Sequence, residues 1–374
     1  MAGLYIHVPI CRRKCLYCDF YSCGEGVVAT SALMNALTRE IKLRKEEVSE
    51  PIDTLYIGGG TPSLLSTSDI NRLLNTAYDS FEISANAEIT MEVNPDDISH
   101  SYAGDLKSIG INRISAGIQS LNDSELRAVG RRHDASGAIK AMEILRNTFD
   151  NCSFDLIFGL PGQTLSSWKH SVDGVLDFSP QHLSAYSLMY EPGTPLSALR
   201  DAGRIREIEE ELSVEMFGTL IEQTDKAGMI QYEISNFSLP GYESRHNSSY
   251  WKGKPYLGIG PSAHSFDGKN TRRWNISDIK QYVNIETETT EAMYQEEYLT
   301  EVERIEEYIM TRLRMKSGIP LQEFAQLFGA QQSERLLSKA SGMINNGELL
   351  LSENHLALSR ETILTSDAVI VRLF

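Results

Sequence analysis

Short apolar runs rich in β-branched and aromatic residues alternate with amphipathic stretches up to about residue 236. The runs predict seven strands, namely "LYIHV", "DTLYIG", "AEITMEV", "NRISAGI", "CSFDLIFG", "HLSAYSL" and "MIQYEIS". Apolar residues recur at helical spacing over 30–47, 67–81, 133–149 and 206–228. Repeated β-then-α order predicts a parallel sheet with helices outside it. Six or seven such units favour a full or incomplete (β/α) barrel, whose functional residues lie at the carboxyl ends of the strands.

Cap residues indicate where the predicted helices begin and end. Thr67 or Ser68, Asp134 and Thr164 are good helix starts, and Gly228 is a good stop. These residues predict where α-helices begin and end around the barrel.

The pattern changes after residue 236. Residues 237–294 are rich in Gly, Ser, Asn and aromatic residues, which predicts loops and short strands. Residues 295–374 predict three helices and then a hairpin, "LLLSENHLALS", that turns at Glu353–Asn354. We therefore expect a barrel over 1–236, a connecting region over 237–294, and a small helical, winged-helix-like domain over 295–374.

Composition narrows the class of protein. The chain has 374 residues, 41% of them hydrophobic, and a formal net charge of −16. This charge, together with the acidic stretch 286–306, disfavours nucleic acid as a partner. Neither a run of about 18 apolar residues nor the charged-then-apolar order of a signal peptide is present, so we expect a cytoplasmic protein. Peripheral docking on a membrane stays open.

Four of the five cysteines lie in "HVPICRRKCLYCDFYSC". An odd count in a reducing compartment argues against disulfides. Cys11, Cys15 and Cys18 have the spacing C-x3-C-x2-C, and no second pair of the kind that structural zinc sites use follows. Three thiolates fit a [4Fe–4S] cluster with one iron left open better than they fit zinc or an unligated loop.

This motif, with Tyr17 before its last cysteine, resembles that of radical S-adenosylmethionine (SAM) proteins, in which the open iron chelates SAM. "YIGGGTPSLL", "MEVNPDD", "SAGIQSLNDSELRAVGRRH" and "DLIFGLPGQT" each follow a predicted strand and resemble motifs of the branch related to oxygen-independent coproporphyrinogen III oxidase. The resemblance implies SAM contacts from eight residues: Tyr5, Gly59, Gly60, Thr61, Glu92, Gln119, Arg131 and Asp155. Arg132 is an alternative to Arg131.

Within that branch, three features resemble the heme-chaperone (HemW-type) members rather than the oxidase. Phe20 stands where the oxidase carries a fourth cysteine, only ten residues precede the cluster motif, and "RHNSSYW" matches an H-N-x-x-Y-W motif. The resemblance implies a chaperone that binds heme b as cargo at the carboxyl side of the barrel near residues 246–251. It also implies heme-accepting apoproteins as partners, membrane respiratory complexes among them, and a homodimer that depends on the cluster.

The heme contacts implied are His246, Asn247, Tyr250 and Trp251, with His246 as one candidate for the axial ligand. His7, His264 and the Cys23 thiolate compete with it for that role. Two other functions stay open: an oxygen-independent coproporphyrinogen III oxidase, and a cluster-bearing interaction protein without catalysis.

Overall fold

The computed structural model describes residues 1–285 and 293–374. The strands in these ranges are β1 (Ala2–Val8), β2 (Ile10–Cys11), β3 (Cys23–Gly24), β4 (Ile52–Gly59), β5 (Ile83–Val93), β6 (Arg113–Gln119), β7 (Cys152–Phe158), β8 (His182–Ser187), β9 (Ile230–Glu233), β10 (Asn236–Ser238), β11 (Tyr256–Ile259), β12 (His264–Phe266), β13 (Thr271–Asn275), β14 (Tyr294–Tyr298), β15 (Ile319–Pro320), β16 (Leu349–Ser352) and β17 (His355–Leu358).

The α-helices of the same ranges surround this sheet and build the carboxyl-terminal region. They are α1 (Thr30–Leu43), α2 (Thr67–Ser80), α3 (His100–Ser108), α4 (Asp123–Ala128), α5 (Ala135–Thr148), α6 (Leu165–Leu176), α7 (Pro195–Asp201), α8 (Glu210–Lys226), α9 (Arg245–Trp251), α10 (Ile279–Val283), α11 (Glu301–Leu313), α12 (Leu321–Phe328), α13 (Ala330–Asn345) and α14 (Ser366–Val371).

Six parallel strands form the centre of the main sheet, in the order β1-β4-β5-β6-β7-β8. Beyond β8, β10 and β9 pair antiparallel, so the seventh predicted strand does not extend the parallel run. Beyond β1, β11 is parallel and β12–β14 are antiparallel. The incomplete (β/α) barrel is therefore confirmed, with six βα units.

The predicted helix starts are mostly confirmed. The side chains of Asp134 and Thr164 cap α5 and α6. The cap of α2 is instead Ser66, whose Oγ accepts a hydrogen bond from the Asp69 amide at 3.1 Å. Ser66 has the extended backbone that a capping residue needs, whereas Thr67 is already helical. Gly228 follows the end of α8 with φ +74°, as a helix stop requires.

The barrel strands have one apolar and one polar face. Leu4, Ile6 and Val8 of β1 are fully buried in the core between sheet and helices. The alternate positions of the strands face the barrel interior, because successive side chains point to opposite faces. Hydrogen bonds link these interior positions across strands, such as Tyr56 to Glu92 and Ser115 to Asp155. The interior is therefore a polar, hydrogen-bonded layer rather than a hydrophobic plug.

The stretch 245–251, predicted as a loop, is the short helix α9. Ser244 caps it by accepting a hydrogen bond from the Asn247 amide, and the Glu88 carboxylate accepts from the amides of Arg245 and His246. The polar residues that suggested a loop instead provide hydrogen-bond acceptors for the backbone amides at the amino terminus of α9.

The carboxyl-terminal region has a hydrophobic core of its own, formed by residues such as Leu313, Phe324 and Leu356. Helices α11–α13 precede the β16–β17 hairpin, whose Glu353 and Asn354 have φ +46° and +68°, as a tight two-residue turn requires. The winged-helix-like arrangement is confirmed, while the limits at 236 and 294 stay predictions. Residues 286–292, in the predicted connecting region and the acidic stretch, lie outside the described residues. Within the described ranges, no helix is long and apolar enough to cross a membrane.

The buried guanidinium of Arg44 joins α1 to the added strands β11 and β12. It donates hydrogen bonds to the Glu40 carboxylate at 2.8 Å, the Gly258 carbonyl at 2.8 Å and Ser265 Oγ at 3.1 Å. Because Glu40 and Arg44 are both fully buried, each charge depends on the other for its solvation.

We predict that Arg44→Ala lowers the free energy of unfolding by about 3–5 kcal/mol, since it leaves the Glu40 carboxylate buried without its cation. Urea unfolding followed by circular dichroism measures the loss. The exposed neighbour Lys42 is the control, and Lys42→Ala should change stability by less than about 0.5 kcal/mol. Equal stabilities of the two variants would show that the pair does not hold this edge of the sheet.

Candidate functional site

The cysteine loop follows β1 at the carboxyl end of the barrel. Its two ends are tied together because β2 pairs with β3, with Ile10 opposite Cys23 and Cys11 opposite Gly24. Cys11 is buried, while Cys15, Cys18 and Cys23 are half-buried, and all four are free thiols. The loop therefore holds its thiols at the end of the barrel where a parallel βα fold carries its functional residues.

Polar groups from neighbouring strands already contact these sulfurs. Thr61 Oγ1 lies 3.7 Å from Cys11 Sγ, and Arg131 Nη1 lies 3.5 Å from Cys15 Sγ. Burial, with a further contribution from the neighbouring Cys15, raises the pKa of Cys18 to about 11. Cys18 is thus a protonated thiol that would release its proton on binding a metal centre.

The donor set fits an iron–sulfur cluster by its chemistry. Cys11, Cys15 and Cys18 supply three thiols that are not in disulfides, and thiolates are the usual cluster ligands. No group of three or more His, Cys, Asp or Glu side chains within 1–285 and 293–374 stands in an arrangement that would hold a metal ion. The three sulfurs would therefore converge when the loop binds the cluster.

The glycines at the end of β4 permit its close approach to the cysteine loop. Gly59 has φ +115°, and a Cβ there would lie 2.6 Å from the His7 ring. A Cβ on Gly60 would lie 2.6 Å from the Ile10 carbonyl oxygen. The sequence predicted close approach to a ligand at these glycines, and the structure adds that they also make room for the chain itself.

Glu92 lies inside the barrel beneath these glycines. Its carboxylate accepts hydrogen bonds from Tyr56 Oη at 2.8 Å and from the Gly59 amide at 3.0 Å. Burial raises the pKa of Glu92 to about 7, although the two hydrogen bonds oppose the shift. A ligand that brings a cationic amine or hydroxyl donors would stabilise the ionised carboxylate here.

Asp155 and Tyr5 occupy neighbouring positions of the same interior. Asp155 accepts a hydrogen bond from Ser115 Oγ at 3.1 Å, and burial raises the pKa of Asp155. Tyr5 Oη lies 2.9 Å from His7 Nδ1, and the Tyr5 ring packs near Tyr56. The predicted contacts from three different strands therefore face one polar space below the cysteine loop.

The two arginines that the sequence left as alternatives point to different places. The Arg131 guanidinium donates to the Gly117 carbonyl at 2.5 Å and reaches Cys15. Arg132 instead pairs with Asp96 and Asp97, at 3.4 and 3.1 Å. Arg131 is thus the arginine beside the cysteine loop.

Gln119 lies near Arg131 and has φ +68°. Its buried Oε1 has no hydrogen-bond partner in the described residues, so this oxygen is available to a ligand.

Arg113 is a candidate residue that the sequence reasoning missed. It is 1% exposed, and its buried Nε has no hydrogen-bond partner within the described ranges. Burial is the main cause that lowers the pKa of His246, and the positive charge of Arg113 adds to it because it opposes protonation of that ring. The alternation along "NRISAGIQ", which puts Arg113 on the same face as Ser115 and Gly117, was the signal that could have found it.

The imidazole of His246 lies inside the barrel. The residue is 1% exposed, with Nδ1 2.8 Å from Thr54 Oγ1 and Nε2 2.7 Å from Tyr250 Oη. Burial lowers the pKa of His246 to about 3, so the ring is neutral. Both nitrogens already take part in hydrogen bonds, so axial ligation of a heme would require the ring to leave this position.

The other residues of the motif also have protein partners. Tyr250 packs edge-on against Tyr256, with ring centroids 4.6 Å apart, and the Arg314 guanidinium lies 4.6 Å above the Trp251 ring. Asn247 is half-buried in the first turn of α9. The motif therefore closes one end of the barrel.

That end is the amino end of the strands. His246 contacts Thr54 at the start of β4, and its ring lies 3.3 Å from where a Cβ of Gly3 would stand. The prediction that heme binds both at the carboxyl side and beside 246–251 is therefore wrong, because the cysteine loop and α9 lie at opposite ends of the barrel.

The competing candidates for the axial ligand have different environments. His7 is buried with both nitrogens hydrogen-bonded, Cys23 is half-buried, and His264 is exposed beside Trp274.

Comparison with known proteins agrees with this geometry. The radical SAM superfamily model matches residues 5–174, and the HemN C-terminal domain model matches residues 299–364. The heme chaperone HemW of Bacillus subtilis is 34% identical to this chain, and the match covers 96% of each protein. The heme chaperone HemW of Lactococcus lactis is 33% identical, and the match covers 93% of this chain and 90% of the relative. The chain therefore belongs to the HemW family of radical SAM proteins.

A solved structure shares the whole fold. It is the coproporphyrinogen III oxidase HemN of Escherichia coli, with a TM-score of 0.85, 23% identity, and coverage of 100% of this chain and 89% of the other. At that identity the likeness shows the fold alone. Membership of the radical SAM family implies a [4Fe–4S] cluster and SAM.

We predict that Glu92 makes stability depend on pH in the cluster-free protein. Its folded pKa of about 7 exceeds the usual value of 4.5, so the folded state retains a proton that the unfolded state has lost. This contribution is fully present below pH 4.5 and is lost as the pH rises through 7. Relative to Glu92→Gln, the wild type should lose on the order of 2 kcal/mol of unfolding free energy between pH 4.5 and 8.

Urea unfolding at a series of pH values measures this difference. Exposed Glu143 on α5 offers the matched control, because Glu143→Gln removes a carboxylate from the surface. Parallel stability profiles for the wild type and Glu92→Gln would contradict the raised pKa.

Proposed function

We propose that the chain is a heme chaperone, which binds heme b and transfers it to heme-requiring apoproteins. The observation that carries this proposal is the near full-length similarity to curated proteins named heme chaperone HemW, at 32–34% identity in several bacteria. The polar barrel and the thiol loop supply a scaffold for the cluster and SAM that the family implies.

The residue type at position 20 supports a chaperone over an oxidase. Phe20 stands where the oxidase resembled by the sequence carries a fourth cysteine, and its side chain is 66% exposed. The alternative function, oxidative decarboxylation of coproporphyrinogen III, has the shared fold of HemN in its favour. A shared fold hosts many functions, so it does not decide between the two.

Cys11, Cys15 and Cys18 would hold the cluster and leave one iron for SAM. Tyr5, Gly59, Gly60, Thr61, Glu92, Gln119, Arg131 and Asp155 would bind and orient SAM. The open Gln119 Oε1 and the paired Glu92 carboxylate can accept hydrogen bonds from it, while Arg131 can pair with its carboxylate. When bound, the cluster supplies a one-electron centre beside SAM.

We assign α9 a positioning role in heme binding. His246 and Tyr250 fix the helix to Thr54 inside the barrel, which sets where Lys252 and the outer face of α9 stand. Acceptor apoproteins, respiratory complexes among them, and a cluster-dependent homodimer belong to this proposal as its expected partners. The separate core of the carboxyl-terminal region supports residues 295–374 as a domain of its own.

We predict that alanine at Cys11, Cys15 or Cys18 abolishes iron and sulfide uptake during anaerobic reconstitution, because thiolates are the usual cluster ligands and each change removes one of the three proposed. Metal analysis and the visible absorption band of the cluster measure the loss. Cys152→Ala is the control, since Cys152 is buried in the core on β7. Loss of iron in Cys23→Ala would assign a fourth thiolate and contradict the open iron.

We predict heme transfer without oxidase activity. Reconstituted protein with SAM, dithionite and coproporphyrinogen III should yield no protoporphyrinogen IX, and the heme-loaded protein should pass heme to a b-type apocytochrome. Chromatography of the porphyrins and the absorption spectrum of the acceptor measure the two outcomes. Formation of protoporphyrinogen IX would favour the oxidase instead.

We predict that His246→Phe leaves the Soret position of bound heme unchanged while lowering the melting temperature. The reason is that the imidazole anchors α9 through hydrogen bonds inside the barrel and does not bind the heme iron. Heme titration and thermal unfolding measure the two effects. A shifted Soret band together with weaker heme binding would make His246 an axial ligand, as the sequence predicted.

A further inference from the structure

A cavity of about 750 Å³ opens at the amino end of the barrel strands. Its wall is formed by Ala2 of β1, Asp53 and Thr54 of β4, α9, and Met315 to Ser317 of the carboxyl-terminal region. This volume lies in the range of about 300–1,000 Å³ that cofactor sites occupy. The cavity is thus large enough for a whole cofactor and lies between the barrel and the carboxyl-terminal region.

The cavity is far from the cysteine loop. Both adjoin β1, but the cavity lies at Ala2, whereas the loop follows Val8. The seven-residue strand separates them by about 20 Å, at about 3.3 Å per residue. A ligand in the cavity is therefore distinct from the SAM site at the other end of the barrel.

The base of the cavity is apolar. Ile230 is a large apolar side chain that is 39% exposed, and Ala2, Tyr232 and Met315 contribute further apolar surface beside it. Concave walls with a mostly apolar lining are typical of small-molecule and cofactor sites. The base suits a flat hydrophobic body.

The rim of the cavity is basic, although the whole chain has a net charge of −16. Lys252, Lys254 and Lys316 are exposed at the rim, and no carboxylate of the described residues forms an ion pair with any of them. Arg245 is already paired with Asp53. Burial lowers the pKa of Lys252, and Lys254 adds to this effect, while the Glu243 carboxylate, which also lines the cavity, opposes it.

We propose that this cavity is the cargo site, in which the apolar base holds a tetrapyrrole and the ammonium groups of Lys252, Lys254 and Lys316 pair with its carboxylates. An iron porphyrin joins a flat apolar macrocycle to two propionates on one edge, and this matches the apolar base and basic rim. The inference rests on the proposed function and specifies where in the protein the heme binds.

The site also explains the arrangement of α9. The outer side of the helix, at Ser248 and Ser249, lines the cavity, while the His246 ring on its other side is anchored to Thr54. Lys252 directly follows the helix. The motif would thus set the cavity wall and the first rim lysine, while the imidazole itself stays in the barrel.

Heme titration of the full-length protein, with hemin and hemin dimethyl ester as probes, tests the site. The test variant carries Lys252→Glu, Lys254→Glu and Lys316→Glu. The matched control carries Lys42→Glu, Lys140→Glu and Lys169→Glu, because these three lysines are also exposed and without ion pairs in the described residues, and they lie away from the cavity. Circular dichroism and iron content verify that both variants fold and accept the cluster.

We expect the test variant to bind hemin at least about tenfold more weakly, since two charge-assisted contacts become repulsive, while the control stays within about twofold of the wild type. The dimethyl ester, which lacks the carboxylate charges, should bind the test variant and the wild type with similar affinity. Hemin affinity that is equal in the test variant and the wild type would overturn the cargo site but leave the proposed function standing. A wild type that binds no hemin would overturn both.

Discussion

The register of the six parallel strands is the constraint on which the site depends. It pairs Tyr5 with Tyr56, Glu92 with Ser115, and Gly117 with Asp155, so that polar side chains from neighbouring strands meet inside the barrel. Because side chains alternate along a strand, a slip of one residue would turn these groups toward the helices and Leu4 or Ile6 into the barrel. The hydrophobic layer under the helices thus fixes the positions of the polar groups.

Such a polar interior is stable only where its groups are paired. The Glu92 carboxylate accepts hydrogen bonds from Tyr56 and the Gly59 amide, and Asp155 accepts one from Ser115. The two ring nitrogens of His246 are hydrogen-bonded to Thr54 and Tyr250. Arg113 Nε and Gln119 Oε1, with Thr90 Oγ1 and Arg131 Nε, are among the buried polar atoms that have no hydrogen-bond partner in the described residues. Buried polar groups without partners are costly, which makes them good markers of where a ligand completes the structure.

The barrel has two different ends. At the carboxyl end, β4 comes close to the cysteine loop because Gly59 and Gly60 lack side chains. At the amino end, α9 closes the interior and its outer side borders a basic cavity beside the carboxyl-terminal region. A protein that carries both a cluster and a cargo can keep the two apart in this way, with the strands as the rigid connection between them.

The sequence by itself determined the βα order, the strands of the parallel sheet and the thiol loop, because alternation, helical periodicity and cysteine spacing are local signals. It also singled out Glu92 and Asp155, of which Glu92 lies next to the end of β5 and Asp155 in the middle of β7. It could not show that β9 pairs with β10, that "RHNSSYW" is a helix, or that this helix lies opposite the cysteine loop. Only the tertiary structure decided those points, and with them the environments of His246 and Arg113, because they depend on contacts between residues as distant as Thr54 and His246.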